Sequence, residues 1–127
     1  FYLGSLMVCL MKKVEAVVGR TIARVICDAL KEAGFSSFML TNILGRGKVG
    51  RGVYVHGGRA APMTNVEEQV LDKSKLELIL DDKDVDKVIS IIINNAKTGI
   101  MGDGKIFVSD IEQVIRIRTG EVGTSAI

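Results

Sequence analysis

The chain has 127 residues, a length that fits one domain. Its residues are 47% hydrophobic and only 5% aromatic, which indicates a folded chain with an aliphatic core and excludes a disordered one. The 17 basic and 15 acidic residues give a net charge of +2, too small for a protein that binds nucleic acid through its overall field.

The cysteine and histidine content argues against a metal or disulfide framework. The two cysteines, Cys9 and Cys27, form no C-x-x-C motif, and His56 is the one imidazole. This usage fits a reducing cytoplasm. No apolar run reaches the roughly 18 to 20 residues that a membrane span needs. Residues 1–10 are expected to be an N-terminal extension or a cloning remnant, and residues 11–127 the domain.

The apolar periodicity predicts six elements in chain order. "KKVEAVV" alternates as a strand does, and the next segment has one apolar stripe at helical spacing that ends before Gly34. A second helix follows the acidic residues 81–84 and ends before Gly99. The segment "DIEQVIRIR" is read as a turn and a brief edge strand. The six elements are strand 12–18, helix 22–33, strand 37–44, strand 75–80, helix 85–96 and strand 105–109.

This order predicts an α+β fold of the ferredoxin-like, split βαβ type, with both helices on one face of an antiparallel sheet. Val17, Ile79 and Phe107 alternate with the core-facing positions, so the other face of the sheet is expected to be apolar. A bare apolar face of that size usually meets a partner, which predicts a homo-oligomer. Between the second and third strands, residues 45–72 form an unusually long connection that is rich in glycine and is expected to project from the body.

Residues 99–105 read G-x-x-x-x-G-K, one hydroxyl short of the phosphate-binding loop of ATPases. That loop follows a strand and opens a helix, whereas here a helix precedes and a strand follows, and Ile106 takes the hydroxyl position. The ATPase interpretation is therefore rejected. Gly102 and Gly104 still leave backbone N–H groups open to phosphate oxygens, with Lys105 adding charge. A plain helix-to-strand turn is the competing interpretation.

Residues 45–50 read G-x-G-x-x-G, but the glycine-rich segment that follows cannot supply the helix of a dinucleotide fold. A basic hinge that holds an anion fits better. In "RIR", an extended backbone would place Arg116 and Arg118 on one side, where two guanidinium groups suit phosphate. A solvated edge strand is the alternative. Tyr54 and His56 have no catalytic partner nearby, and "DDKDVDK" is read as a solvated helix start rather than a metal site.

Taken together, "TGIMGDGKIFV", "VIRIRTGE", "MKKVEAVV" and "GRGK" resemble signatures of the PII nitrogen-regulatory signal proteins. The resemblance covers residues 11–127 and is most specific over residues 98–121. It implies a homotrimer whose sheets face one another and whose clefts between subunits bind ATP or ADP. It also implies a regulator rather than an enzyme, which acts through a long T-loop, here residues 45–72.

The resemblance also assigns residues to the nucleotide cleft. Arg116 and Arg118 would reach in from the neighbouring subunit. Val17 matches a further position beside the adenosine. The residues implied to bind nucleotide are Gly45, Gly47, Lys48, Glu77, Ile79, Thr98, Gly102, Asp103, Gly104, Lys105, Arg116 and Arg118.

Several positions depart from the family pattern. Lys48 stands where an Arg is more usual, and Met39 replaces a Thr near the base. Val49 replaces a Gln that helps to bind magnesium and 2-oxoglutarate, although Lys73 matches the Lys partner of that effector, so both ligands stay open. The altered T-loop leaves the target open among an ammonium channel, glutamine synthetase and a nitrogenase-type enzyme.

Two functions of other classes remain as alternatives. An RNA-binding module would share the topology, because "GKIFV" distantly resembles an RNA-recognition strand, but only Phe107 is available to stack a base. A phosphotransferase would need a general base beside the phosphate, and Asp103 is the local candidate.

Overall fold

The structure, a computed structural model, describes residues 10–50 and 66–127, with the backbone alone described at 45–50 and 66–71. The expected extension at residues 1–10 therefore lies outside the described residues except for Leu10. Tyr54 and His56 also lie outside them. Two short 3-10 turns, Asp82–Asp84 and Thr124–Ala126, accompany the main elements. These elements are β1 (Met11–Gly19), α1 (Arg20–Glu32), β2 (Met39–Gly50), β3 (Val66–Asp81), α2 (Val85–Ala96) and β4 (Lys105–Asp110).

The four strands form one sheet in the order β2-β3-β1-β4, and every neighbouring pair is antiparallel. The central strand β1 aligns Val14 with Leu78 of β3 on one side and with Val108 of β4 on the other. This strand order is that of the split βαβ plan. The predicted α+β, ferredoxin-like fold is therefore confirmed.

Both helices cover one face of the sheet and form the core with it. The alternation of β1 and β3 puts every second side chain on this face, where the helices present their apolar stripes. Gly34, with a φ of +94°, ends α1 in the left-handed region that favours glycine. Buried residues of this core are Val14, Ala16, Val18, Ala23, Ile26, Leu30, Leu76, Leu78, Leu80, Val85, Val88, Ile92 and Ala96.

The opposite face, here called the open face, is not the apolar surface that the sequence predicted. Its centre holds two lysines and two glutamates in ion-pair distance, with Lys75 Nζ 3.4 Å from Glu77 Oε1 and Lys13 Nζ 3.4 Å from Glu15 Oε2. The prediction considered Val17 and Ile79, but a period of two also places residues 13, 15, 75 and 77 on this face. The open face is thus a charged centre with apolar borders.

The apolar borders lie on the outer strands. Phe107 of β4 is 52% exposed and Met39 of β2 is 54% exposed, and both share a row with the glutamates through the pairings Glu15↔Phe107 and Met39↔Glu77. Two exposed large side chains beside a charge-balanced centre still form a surface suited to association.

The prediction of a loop over residues 45–72 is wrong at both ends of that range. Strands β2 and β3 continue as a two-stranded ribbon, with Gly45 opposite Leu71 and Gly50 opposite Val66. Backbone hydrogen bonding requires no particular side chain, so glycine-rich sequence can extend a strand without showing any apolar alternation. Only residues 51–65 of the predicted loop lie outside the described residues.

Candidate functional site

The glycine loop, residues 98–104, connects α2 to β4 and is held in shape by Asp103. The carboxylate of Asp103 accepts hydrogen bonds from the N–H groups of Thr98, at 2.8 Å, and Gly99, at 3.0 Å. The hydroxyl of Thr98 donates to the other carboxylate oxygen. The N–H of Ile100 donates to the Thr98 hydroxyl at 3.3 Å. Thr98 and Asp103, both assigned to the nucleotide by resemblance, thus fix the loop itself.

These bonds also set the ionisation of Asp103. The hydroxyl of Thr98 lowers the pKa of the Asp103 carboxyl, the amides of Thr98, Gly99 and Ile100 add to the effect, and partial burial opposes it. A carboxylate that is held ionised by several donors is a weak proton acceptor. This geometry disfavours Asp103 as the general base of a phosphotransferase.

The two glycines at the end of the loop have conformations and spacing that suit only glycine. Gly102 has a φ of +107° and Gly104 a φ of +111°. A Cβ on Gly104 would lie 2.0 Å from the backbone carbonyl oxygen of Val17, so any side chain there would collide with β1. Within the described part of the chain, the N–H groups of Gly102 and Gly104 donate to no protein acceptor. They are available to an anion.

Two lysines flank these amides. Lys73 of β3 donates from Nζ to the carbonyl oxygen of Gly102 at 2.8 Å, which joins the base of the ribbon to the glycine loop. Lys105 is exposed at the start of β4, opposite Val17. Lys73 thus contacts the glycine loop in space, and Lys105 follows it directly in the sequence.

The C-terminal hairpin, residues 115–122, carries the two arginines and differs from the predicted edge strand. An isolated bridge pairs Ile115 with Val122, and Arg118 lies within a turn at residues 117–119 whereas Arg116 precedes that turn. The arginines therefore do not share one side of an extended segment. The sequence T-G-E after "RIR" favours a turn, because glycine readily adopts a positive φ. Gly120 has a φ of +74°.

Within the residues that the structure covers, neither arginine has a hydrogen bond or ion pair to the glycine loop of its own chain. Arg116 donates to Glu121 at 2.9 Å and to the carbonyl oxygen of Ser125 at 3.1 Å. Arg118 is exposed and has no ion pair there. The sequence did not single out Glu121, although an acidic residue five positions after an arginine was the available signal.

The other predicted positions lie on the sheet. Glu77 is on the open face, one row from Lys105, and its carboxylate is 3.7 Å from Lys13 Nζ as well as 3.4 Å from Lys75 Nζ. Ile79 is half-buried on the same face, one row further. The open face therefore continues from the glycine loop past Glu77 to Ile79. Of Gly45, Gly47 and Lys48, the structure describes the backbone, which pairs with Leu71, Gln69 and Glu68.

A cavity of about 310 Å³ lies between α2 and β4, on the helix side of the sheet. Its apolar wall includes Val18, Ile92 and Ile106, and Asp103 and Lys105 contribute to its edge. An apolar recess of this kind does not suit a polyphosphate. Among the described residues, no three His, Cys, Asp or Glu side chains are grouped to hold a metal ion. No helix of that part is long and apolar enough to cross a membrane.

Comparison with known proteins gives consistent matches. The family model described as nitrogen regulatory protein P-II matches residues 11–121. The nitrogen regulatory protein P-II of Rhizobium meliloti is 40% identical over 120 residues, covering 92% of this chain and 100% of that protein. The nitrogen fixation nifHD1 region GlnB-like protein 2 of Methanosarcina barkeri is 39% identical over 123 residues, covering 92% and 99%. The B. subtilis GlnK–ATP complex has a TM-score of 0.73 at 31% identity, covering 95% of this chain and 99% of that chain.

These matches confirm the resemblance stated from the glycine loop and the arginine hairpin. The matched proteins are named as regulators of nitrogen metabolism, which agrees with the expectation of a regulator rather than an enzyme. Neither RNA binding nor phosphoryl transfer gains support from them. The chain belongs to the nitrogen regulatory protein P-II family.

Proposed function

We propose that this chain forms a homotrimer that binds ATP or ADP in clefts between subunits and controls target proteins through the segment between β2 and β3. The observation that carries the proposal is the glycine loop. Its N–H groups at Gly102 and Gly104 have no acceptor among the described residues, Lys73 Nζ contacts the loop at Gly102, and Lys105 follows Gly104 in the sequence. Backbone amides and fixed cations of this kind suit a polyphosphate.

The identity of the anion as a nucleotide has two supports. A related structure, the B. subtilis GlnK–ATP complex, is named for ATP. The open face runs from Lys105 toward Ile79 and offers half-buried apolar surface at Val17 and Ile79, where an adenosine group would lie. Gly45, Gly47, Lys48 and Glu77 border this path in the proposal.

The positions of the two arginines support the homotrimer in this proposal. Arg116 and Arg118 are on a hairpin that makes no polar contact with the glycine loop of the described chain. In the proposal, the hairpin of one subunit supplies both guanidinium groups to the phosphates held by its neighbour. The exposed Phe107 and Met39, beside the charge-balanced centre of the open face, become the contact between subunits.

The regulatory step requires that nucleotides bind unequally to two conformations of the segment between β2 and β3. A tenfold change in population corresponds to about 1.4 kcal/mol of differential binding. In the proposal, Lys73 couples the bound nucleotide to the conformation of this segment, because Lys73 lies at the base of the ribbon and contacts Gly102 of the glycine loop. We propose that the protein acts in the cytoplasm. Among the target classes, a nitrogen-fixation enzyme is favoured by the relative named for the nifHD1 region.

Titration calorimetry with ATP and ADP tests the proposal. Lys105→Ala removes a cation beside the phosphates and is expected to weaken ATP binding by about tenfold or more, and ADP binding less. Lys31→Ala, on the exposed last turn of α1, is the matched control and is expected to bind like the parent. If the parent ignores both nucleotides, or if Lys105→Ala binds ATP as the parent does, the phosphate assignment is wrong.

A further inference from the structure

The guanidinium of Arg116 is held by its own hairpin. Nη1 donates to Glu121 Oε1 at 2.9 Å, and Nη2 donates to the carbonyl oxygen of Ser125 at 3.1 Å. The side chain of Arg116 is 34% exposed, so part of it remains open to solvent. A guanidinium has five N–H donors, and these two bonds leave others free to bind a ligand.

Glu121 is itself fixed by the turn. Its Oε1 also accepts from the hydroxyl of Thr119 at 3.0 Å, and its backbone N–H donates to that hydroxyl at 3.2 Å. Backbone bonds from Arg116 N to Glu121 O, at 2.9 Å, and from Gly120 N to Arg116 O, at 2.7 Å, close the hairpin. The carboxylate is therefore a rigid acceptor rather than a mobile surface charge.

We propose that Glu121 is a positioning residue, which orients the Arg116 guanidinium so that its free N–H edge meets the phosphates of a nucleotide held by the neighbouring subunit. This inference rests on the proposed function. An arginine that is already oriented loses less side-chain entropy when it binds a phosphate. Arg118, exposed and without an ion pair in the described chain, supplies charge but no comparable orientation.

The carboxylate has a second, opposing effect, since a negative charge near the cleft repels phosphate. Two substitutions separate the effects. Glu121→Gln keeps an oxygen that accepts from Arg116 and removes the charge. Glu121→Ala removes both. Orientation therefore predicts that only the alanine variant loses affinity.

The experiment is a calorimetric titration of ATP into the full chain and its variants. Glu121→Ala is expected to lower the ATP affinity about tenfold, and Glu121→Gln to keep or slightly improve it. Glu112→Ala, an exposed acidic residue outside the hairpin, is the control and is expected to match the parent. In an Arg116→Ala background, Glu121→Ala should produce no further loss, because no guanidinium remains to be oriented.

Other outcomes overturn the inference. If Glu121→Ala binds ATP as tightly as the parent or more tightly, the Glu121 carboxylate does not assist ATP binding by orienting Arg116. If Glu121→Ala lowers the ATP affinity by the same factor in the parent and in the Arg116→Ala background, the substitution acts by disturbing the fold and not by releasing Arg116. Should Glu121→Ala fail to fold, Thr119→Val, which frees Glu121 on one side, is expected to give a smaller loss, and an unchanged affinity refutes the proposal. A parent that binds no ATP would instead refute the proposed function.

Discussion

At the scale of single residues, the glycine loop shows how one side chain, that of Asp103, can hold a backbone segment in shape. Asp103 uses both carboxylate oxygens on Thr98 and Gly99, so the backbone N–H groups of these two residues are occupied. The amides of Gly102 and Gly104 stay free in the described structure. A positive φ and the close approach of the Val17 carbonyl allow only glycine at position 104. The backbone part of the proposed site is therefore held in place by neighbouring residues.

The lowered pKa of Asp103 predicts how stability depends on pH. A carboxyl whose pKa is lower in the folded state contributes stability above its unfolded pKa, near 3.8, and loses that contribution as the pH falls through the folded value. Replacing Asp103 by Asn should therefore destabilise the protein most from neutral pH down to about pH 5, and progressively less below it.

Urea denaturation of the parent and of Asp103→Asn between acidic and neutral pH measures this difference. Glu112→Gln serves as the control, because Glu112 is exposed and takes part in no hydrogen bond within the described residues. A stability difference that stays constant with pH, or grows as the pH falls, would show that ionised Asp103 does not hold the loop.

At the scale of elements, the sequence predicted what side-chain periodicity encodes. The helices and the strands β1 and β4 follow from apolar stripes and alternation, which the core uses directly. The ribbon at residues 45–50 and 66–71 has no such signal, because hydrogen bonds between backbones build it. The hairpin turn at residues 117–119 was missed because "RIR" was judged by charge spacing and not by the Thr-Gly-Glu sequence that follows.

The ribbon should have its own signature in hydrogen exchange. Strand β3 pairs with β1 only as far as Lys73, opposite Gly19, so among residues 10–50 and 66–127 no third strand joins the ribbon beyond that point. Two-stranded ribbons are marginally stable. We expect amides of residues 45–50 and 66–71 to exchange more slowly than unstructured chain and faster than those of β1.

Exchange monitored by mass spectrometry checks this expectation, with peptides from β1 and the central part of β3 as the internal reference. Protection equal to that of β1 would mean that another element covers the ribbon. Exchange at the rate of an unfolded peptide would mean that the pairing from Gly45↔Leu71 to Gly50↔Val66 does not persist in solution.

At the scale of the whole molecule, the described chain carries the glycine loop and the arginine hairpin of the proposed nucleotide site, with no polar contact between them. The glycine loop and both arginines could be identified from the sequence, since glycine amides and guanidinium groups suit phosphate. The sequence had no means to show that Glu121 holds Arg116, because that contact depends on a turn. Residue type does not reveal which subunit supplies the glycine loop and which supplies the arginines, because that depends on how the subunits assemble.

Complementation between two variants tests that central claim most directly. Lys105→Ala trimers and Arg116→Ala/Arg118→Ala trimers should each bind ATP weakly, since each lacks one half of every site. When the two chains are unfolded, mixed in equal amounts and refolded, about one interface in four should pair an intact glycine loop with an intact hairpin from its neighbour. The account predicts that calorimetry then detects parent-like ATP affinity at about that fraction of sites. Mixed trimers that bind no better than the separate variants would contradict it.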